Sequence, residues 1–116
     1  MINIEMKSRS SAMLSFDKQG IDELLIIMNN ALDNSKNSTS MKGSIRVVKN
    51  EVESTLSFVK NEIAIIELDA DEIEYVIERL NKCKTDKQFY PAEVSDVRYK
   101  NNNLTIYAIY SEKVTS

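Results

Sequence analysis

The chain of 116 residues contains no histidine and no tryptophan, and it has one cysteine, one proline and two glycines. Without histidine it lacks the commonest general base and the commonest ligand of transition metals. Gly20 and Gly43 stand far apart, so no glycine-rich phosphate-binding loop can be written. No serine lies in a G-x-S-x-G nucleophile elbow. We therefore expect a protein that is not an enzyme and that holds no cofactor and no metal.

Long apolar runs are also missing from the sequence. The longest, LLIIM at 24–28 and IAII at 63–66, are too short to span a bilayer. Residues 1–10 alternate apolar with polar side chains and lack the apolar core of a signal peptide. The single cysteine, Cys83, excludes an internal disulfide and fits a reducing compartment. These features predict a cytoplasmic protein with no membrane partner.

The segment IELDADEIEYVIERLNKCK, at 66–84, carries five carboxylates within little more than two helical turns. Its apolar residues recur at the i, i+3, i+4, i+7 spacing of one helix face: Ile73, Val76, Ile77 and Leu80. This pattern predicts a helix over 70–84, in which Cys83 continues the buried stripe. Asp69 is placed to cap the helix, with Glu72 as its capping-box partner. Most of the acidic cluster therefore has a structural explanation.

When the sequence is shifted by 52 positions, Asp17 falls on Asp69 and the residues after Asp17 repeat the same apolar pattern. This earlier segment predicts a second helix, over 18–33. Strands are predicted at 2–8, 11–16, 44–49, 55–60, 62–68, 93–100 and 103–111, a loop at 34–44, and hairpin turns at Lys60-Asn61 and at 101–103. The predicted fold is α+β, a two-layer sandwich with a mostly antiparallel sheet and both helices on one face. We expect one domain over 1–116, built from ββαβ repeat-like units at 2–53 and 54–111. Chance similarity of two generic patterns is the alternative.

Negative charge is concentrated in one part of the chain. The net charge is −3, but residues 51–78 hold nine acidic residues and one lysine, while the rest of the chain has an excess of basic residues. Such a block favours docking of a basic protein surface, and a solvated helix face is the simpler alternative. The candidate partner-binding residues are Asp69, Asp71, Glu74 and Glu78, with Tyr75, Phe89, Tyr90 and Tyr107 as aromatic anchors.

Two other surfaces suggest further interactions. Lys82, Lys84 and Lys87 beside Phe89 and Tyr90 could track a nucleic acid strand, but lysines near a helix end complement the helix dipole and the whole chain is acidic. We therefore expect no nucleic acid partner.

Apolar residues also stand at positions where exposure is predicted. Ile26 and Ile27 align with Glu78 and Arg79 of the second helix, and Tyr107 and Ile109 lie on the second face of the last strand. These residues fit either burial on both faces or a surface for a homodimer.

The segments LSFDKQGIDELLIIMNNAL and IAIIELDADEIEYVIERLNKC, in a small chain without catalytic residues, resemble the immunity proteins of bacterial polymorphic toxin systems. The resemblance covers most of residues 12–110. It implies a protein that binds its cognate toxin domain and blocks the active site or the path to it. That class shares no catalytic motif, so no residue acquires a catalytic role. Two alternatives stay open: a self-associating structural or regulatory domain, and a phage-encoded acidic inhibitor of a host defence enzyme that binds nucleic acid.

Overall fold

The computed structural model describes residues 2–33, 39–42, 45–59, 63–86 and 92–110. In these residues the chain forms an α+β fold of eight strands and two helices. In chain order they are β1 (Ile2–Ser8), β2 (Ser11–Phe16), α1 (Lys18–Asp33), β3 (Thr39–Lys42), β4 (Ile45–Lys49), β5 (Thr55–Val59), β6 (Ile63–Leu68), α2 (Ala70–Asp86), β7 (Ala92–Tyr99) and β8 (Asn102–Tyr110).

All of these strands join one mixed sheet in the order β1-β2-β8-β7-β5-β6-β4-β3. The hairpin pairs β1–β2, β3–β4, β5–β6 and β7–β8 are antiparallel. Parallel contacts join one hairpin to the next, β2 with β8 and β4 with β6. The hairpin that follows each helix therefore pairs with the strand that precedes the other helix, which interlocks the two halves of the chain.

The middle of the sheet is its weakest junction. The parallel ladder between β5 and β7 consists of one residue pair, Thr55 with Arg98. The Arg98 amide donates to the carbonyl of Ser54 (2.8 Å), just before β5 begins. We call this junction the seam. It lies at the C-terminal end of β6, where α2 starts, because Thr55 also pairs with Glu67.

Both helices pack against each other and cover one face of the sheet, as predicted for a two-layer sandwich. Alternate residues of β2, β6 and β8 point into this layer and are buried, since side chains of a strand alternate between its faces. The helices contribute Ile21, Leu24, Met28, Ile73, Val76 and Leu80 to the core, with Leu25, Ile77 and Cys83 packed at its margin. The predicted apolar stripes therefore form the helix side of the core.

Both predicted helix caps are confirmed. The Gly20 amide donates to Asp17 Oδ1 (2.7 Å), and the Glu72 amide donates to Asp69 Oδ1 (2.8 Å). These bonds satisfy amides that have no partner inside the first turn of a helix. Asp17 and Asp69 thus fix where α1 and α2 begin.

Replacing Asp69 with alanine should lower the free energy of unfolding by about 1 kcal/mol, because the first turn of α2 loses its side-chain acceptor. Chemical denaturation measures the change. Asp71→Ala is the control, because Asp71 is exposed in the same turn without being the cap. Equal unfolding midpoints for the two variants would contradict the capping role.

Two local predictions were wrong. The segment predicted as a loop at 34–44 contains β3, which pairs antiparallel with β4 at the edge of the sheet. A polar sequence is common at such an edge, because an edge strand is less buried than a central one. The last hairpin turns through Lys100 and Asn101, and Lys100 has a left-handed φ of 50°, so the turn begins one residue earlier than predicted and Asn102 and Asn103 belong to β8. The turn predicted at Lys60-Asn61 lies outside the described residues.

Candidate functional surface

The outer side of α2 carries the candidate acidic surface. Asp71, Glu74, Tyr75 and Glu78 are all exposed, and their spacing of 3, 4 and 7 places them on one side of the helix. We call these four residues the acidic helix face. Tyr75 lies at the margin of this face that borders β7, with 47% of its surface exposed, and its ring is 5.7 Å from the guanidinium carbon of Arg79. This arrangement places a large aromatic side chain among carboxylates at the surface.

A buried hydrogen bond ties α2 to β7. Ser95 is 7% exposed, and its hydroxyl donates to Glu72 Oε2 (2.9 Å). In the described part of the chain, Glu72 uses its carboxylate for this contact and not for the return bond of a capping box with Asp69. A β-bulge between Glu93 and Ser95 inserts Val94 into the strand at the same place. The bulge and the hydrogen bond fix the position of β7 beside the helix.

Two clefts continue the acidic surface from α2 across β7. A cleft of about 130 Å³ lies between α2 and the start of β7, and it is lined by Glu72, Tyr75, Glu93, Val94, Ser95 and Asp96. A larger cleft of about 370 Å³ lies at the seam, and it is lined by Val52, Glu53, Ser54, Asp69, Asp96, Val97, Arg98 and Asn103. Asp96 borders both clefts. Glu93 pairs with Tyr107, and the Asp96 carboxylate accepts the Thr105 hydroxyl (2.7 Å), so both side chains belong to the sheet face away from the helices. The clefts therefore bring acidic residues of both sheet faces to the edge of β7.

Among the described residues, no salt bridge joins the acidic helix face to a cation, although Arg79 lies over the Tyr75 ring. Across residues 2–33, 39–42, 45–59, 63–86 and 92–110, the ion pairs join Lys7 to Glu5 and Lys84 to Asp22, and neither includes a member of the acidic helix face. Arg98, the one cation that lines the seam cleft, donates to Asn103 Oδ1 (3.1 Å). Unpaired carboxylates spaced along one surface add to a common negative potential.

The structure places the predicted partner-binding residues in three different situations. The acidic helix face is one surface, whereas Asp69 caps α2 and lines the seam cleft. Tyr107 is half-buried on the other face of the sheet, because it alternates with Ile106 and Ala108, which are buried under the helices. It lies opposite Glu93 in the β7–β8 ladder. Phe89 and Tyr90 lie outside the described residues.

The proposed self-association surface on α1 is corrected by the structure. Ile26 is 59% exposed, but Ile27 is 3% exposed and belongs to the core. The alignment with Arg79 left burial and a partner surface open for Ile27, and the structure buries it because α1 is buried over a wider arc than α2. A continuous Ile26–Ile27 contact surface is thus excluded.

Glu72, Glu93, Ser95 and Asp96, which line the cleft between α2 and β7, were not predicted as site residues. The β7 residues come next to α2 through sheet pairing, which a local pattern does not report. The available signal was the alternation of acidic side chains in AEVSDVRY, at 92–99.

No cluster of three or more His, Cys, Asp or Glu side chains in the described residues is arranged to hold a metal ion. Neither described helix is both long and apolar enough to cross a membrane.

Comparison with protein-family models, with curated proteins and with solved structures found no match.

Proposed function

We propose that this chain is a cytoplasmic binding protein that recognises the basic surface of another protein. Specifically, it acts as an immunity protein, which neutralises a cognate bacterial toxin domain by covering its active site or the path to it. The observation that supports the proposal is the acidic helix face of α2, with Tyr75 exposed between it and the cleft beside β7.

The charge pattern suits rapid capture of a basic partner. A cleft or surface that carries charges of one sign raises the local concentration of an oppositely charged partner. It increases the association rate by a factor of about 10–10³. Toxin domains that act on nucleic acids need basic surfaces, since binding to phosphates depends on lysine and arginine. An acidic inhibitor could then compete for the same surface as the substrate.

Tyr75 has the properties of an interface anchor. Tyrosine is enriched among interface hot spots, since its ring offers a large contact area and its hydroxyl a hydrogen bond. An exposed tyrosine on a helix surrounded by charges also matches an interface with an apolar centre and a polar rim. The carboxylates would set the rate of encounter, and the ring would hold the complex together.

Co-expression is the direct test of this function. The chain should restore growth to cells that produce the C-terminal domain of the large protein encoded beside its own gene, and the two proteins should co-purify. The matched control is Glu74→Lys/Glu78→Lys, which should fold but protect less. Full toxicity in the presence of abundant folded chain would reject the proposal.

Replacing Tyr75 with alanine should weaken the complex by about 30-fold, which corresponds to the roughly 2 kcal/mol that defines a hot spot. The loss should come mainly from faster dissociation, because the ring contacts the partner only after docking. Surface plasmon resonance separates the two rates. Tyr75→Phe is the control that keeps the ring, and equal dissociation of the alanine variant and the wild type would show that Tyr75 is no anchor.

A further inference from the structure

Strand β7 has a free edge at the seam. Its partner on one side is β8 along almost its whole length, from Ala92 to Tyr99. On the other side β5 pairs with β7 at a single position, Arg98. Because β5 begins at Thr55, residues 92–97 extend past its start and have no strand beside them in the described part of the chain.

The backbone of Asp96 points toward this free edge. The Arg98 amide donates across the seam to Ser54, so the peptide groups of Arg98 face away from β8. Peptide groups of a paired strand alternate in direction from one residue to the next. The amide and carbonyl of Asp96 therefore face the same side as those of Arg98. Among the described residues, no backbone hydrogen bond from the segment 51–54 reaches Asp96.

Space and charge are present at the same edge. The seam cleft of about 370 Å³ is much larger than the roughly 30 Å³ of one water molecule. It shares Asp96 with the smaller cleft, and the residues lining the two clefts include five carboxylates and one guanidinium, namely Glu53, Asp69, Glu72, Glu93, Asp96 and Arg98. Three of these carboxylates, Asp69, Glu72 and Asp96, each accept one hydrogen bond from within the chain. An extended segment that lies here meets unpaired backbone groups on β7 and carboxylates on both sides.

We propose that an extended, lysine- or arginine-bearing segment of the protein partner adds as a strand to the free edge of β7, in line with β5. This inference rests on the proposed function and specifies how the partner docks. Main-chain hydrogen bonds to Asp96 supply affinity, as in other cases of strand addition. The carboxylates of the two clefts select a basic sequence, and the acidic helix face contacts the remainder of the partner.

Amide hydrogen exchange of the free protein gives the first test. The Asp96 amide should exchange at least about tenfold faster than the Val97 amide, which faces β8 in the same strand. NMR exchange measurements at a single protein concentration report both rates. Equal protection of the two amides would show that the edge is already closed and would overturn the proposal. Slowing of Asp96 exchange as protein concentration rises would identify a second copy as the occupant, which also contradicts it.

The second test uses a defined probe, an eight-residue peptide of alternating lysine and valine, blocked at both ends. Its addition should slow exchange of the Asp96 amide by about tenfold or more. The same peptide with a methyl group on every backbone nitrogen keeps its charge but loses its donors, and it should leave Asp96 unprotected. A glutamate–valine peptide should not bind. Equal effects of the methylated and unmethylated peptides, or no binding by the lysine peptide at millimolar concentration, would exclude strand addition.

Charge variants test the role of the carboxylates. Glu53→Gln and Asp96→Asn should each weaken binding of the lysine peptide by up to about fivefold, the range measured for exposed charge pairs. Glu5→Gln on β1 removes a charge at the edge of the sheet and should have no effect.

If the chain protects cells against the toxin domain while partner binding leaves the Asp96 amide unchanged, the proposed function stands and strand addition is wrong. Loss of cell protection alone counts against the function.

Discussion

Replacing Leu80 with alanine should lower the free energy of unfolding by about 2–5 kcal/mol. The side chain is 1% exposed and lies on the face of α2 that contributes to the core. Truncation removes apolar surface from a packed site and leaves a cavity that the surrounding helices and sheet fill only in part. Urea denaturation followed by circular dichroism gives the change directly.

The matched control is Ile26→Ala on α1, where an apolar side chain of similar size is 59% exposed. Its effect should stay within about 0.5 kcal/mol, as for most surface substitutions. A similar loss in both variants would mean that burial does not decide the cost, and the assignment of the α2 core face would then be wrong. An unchanged denaturant slope in both variants indicates that the unfolded states remain comparable.

The helices and most strands were predictable because their signals are local. A buried helix face needs apolar residues every three or four positions, and a capping aspartate needs only the amides of the next turn. Asp17 and Asp69 meet this condition, and α1 begins at Lys18 and α2 at Ala70 as predicted. Alternation in β2 was readable for the same reason, since this strand packs one face against the helices. In β8 both parities are apolar, so the sequence left open which face is buried.

The arrangement of the strands was not predictable from these signals. The pairing of β4 with β6 and of β8 with β2 joins residues from opposite halves of the chain, and a repeated local pattern does not state which half supplies the neighbour. Edge strand β3 has no apolar alternation to mark it, because it lies at the margin of the sheet. Lys100 took the left-handed turn position through the register of β7 and β8.

The candidate surface was predictable only where its residues share one helix, because helical spacing is a local signal and strand pairing is not. Asp71, Glu74 and Glu78 share one side of α2 through helical spacing alone, so sequence was sufficient for them. Glu93 and Asp96 line the cleft beside α2 from the other face of the sheet, through the bulged β7, whose position depends on β8 and on the Ser95–Glu72 hydrogen bond. Tyr107 lies apart from the acidic helix face, because its parity on β8 directs it away from the helices, on the second strand face where the sequence placed it.

Reversing two charges of the acidic helix face, Glu74→Lys/Glu78→Lys, should slow association with a basic partner by about 10²-fold at low salt. Both side chains are exposed, and the described residues offer them no ion pair, so their replacement should leave the fold intact. Stopped-flow mixing with the purified toxin domain measures the association rate. The dissociation rate should change little, because charges at the rim of an interface act chiefly on the encounter.

The control carries the same change in net charge at other positions, Glu5→Lys on β1 and Asp33→Lys at the end of α1, both exposed. Since this variant has the same total charge, a slower rate that is confined to the Glu74/Glu78 variant shows that position matters. The difference between wild type and reversed variant should shrink in 1 M salt, where the screening length falls from about 10 Å at 0.1 M to about 3 Å. If all three proteins associate at the same rate in 0.1 M salt, the acidic helix face is only the solvated side of α2, and recognition must depend on Tyr75 and the β7 edge without electrostatic steering.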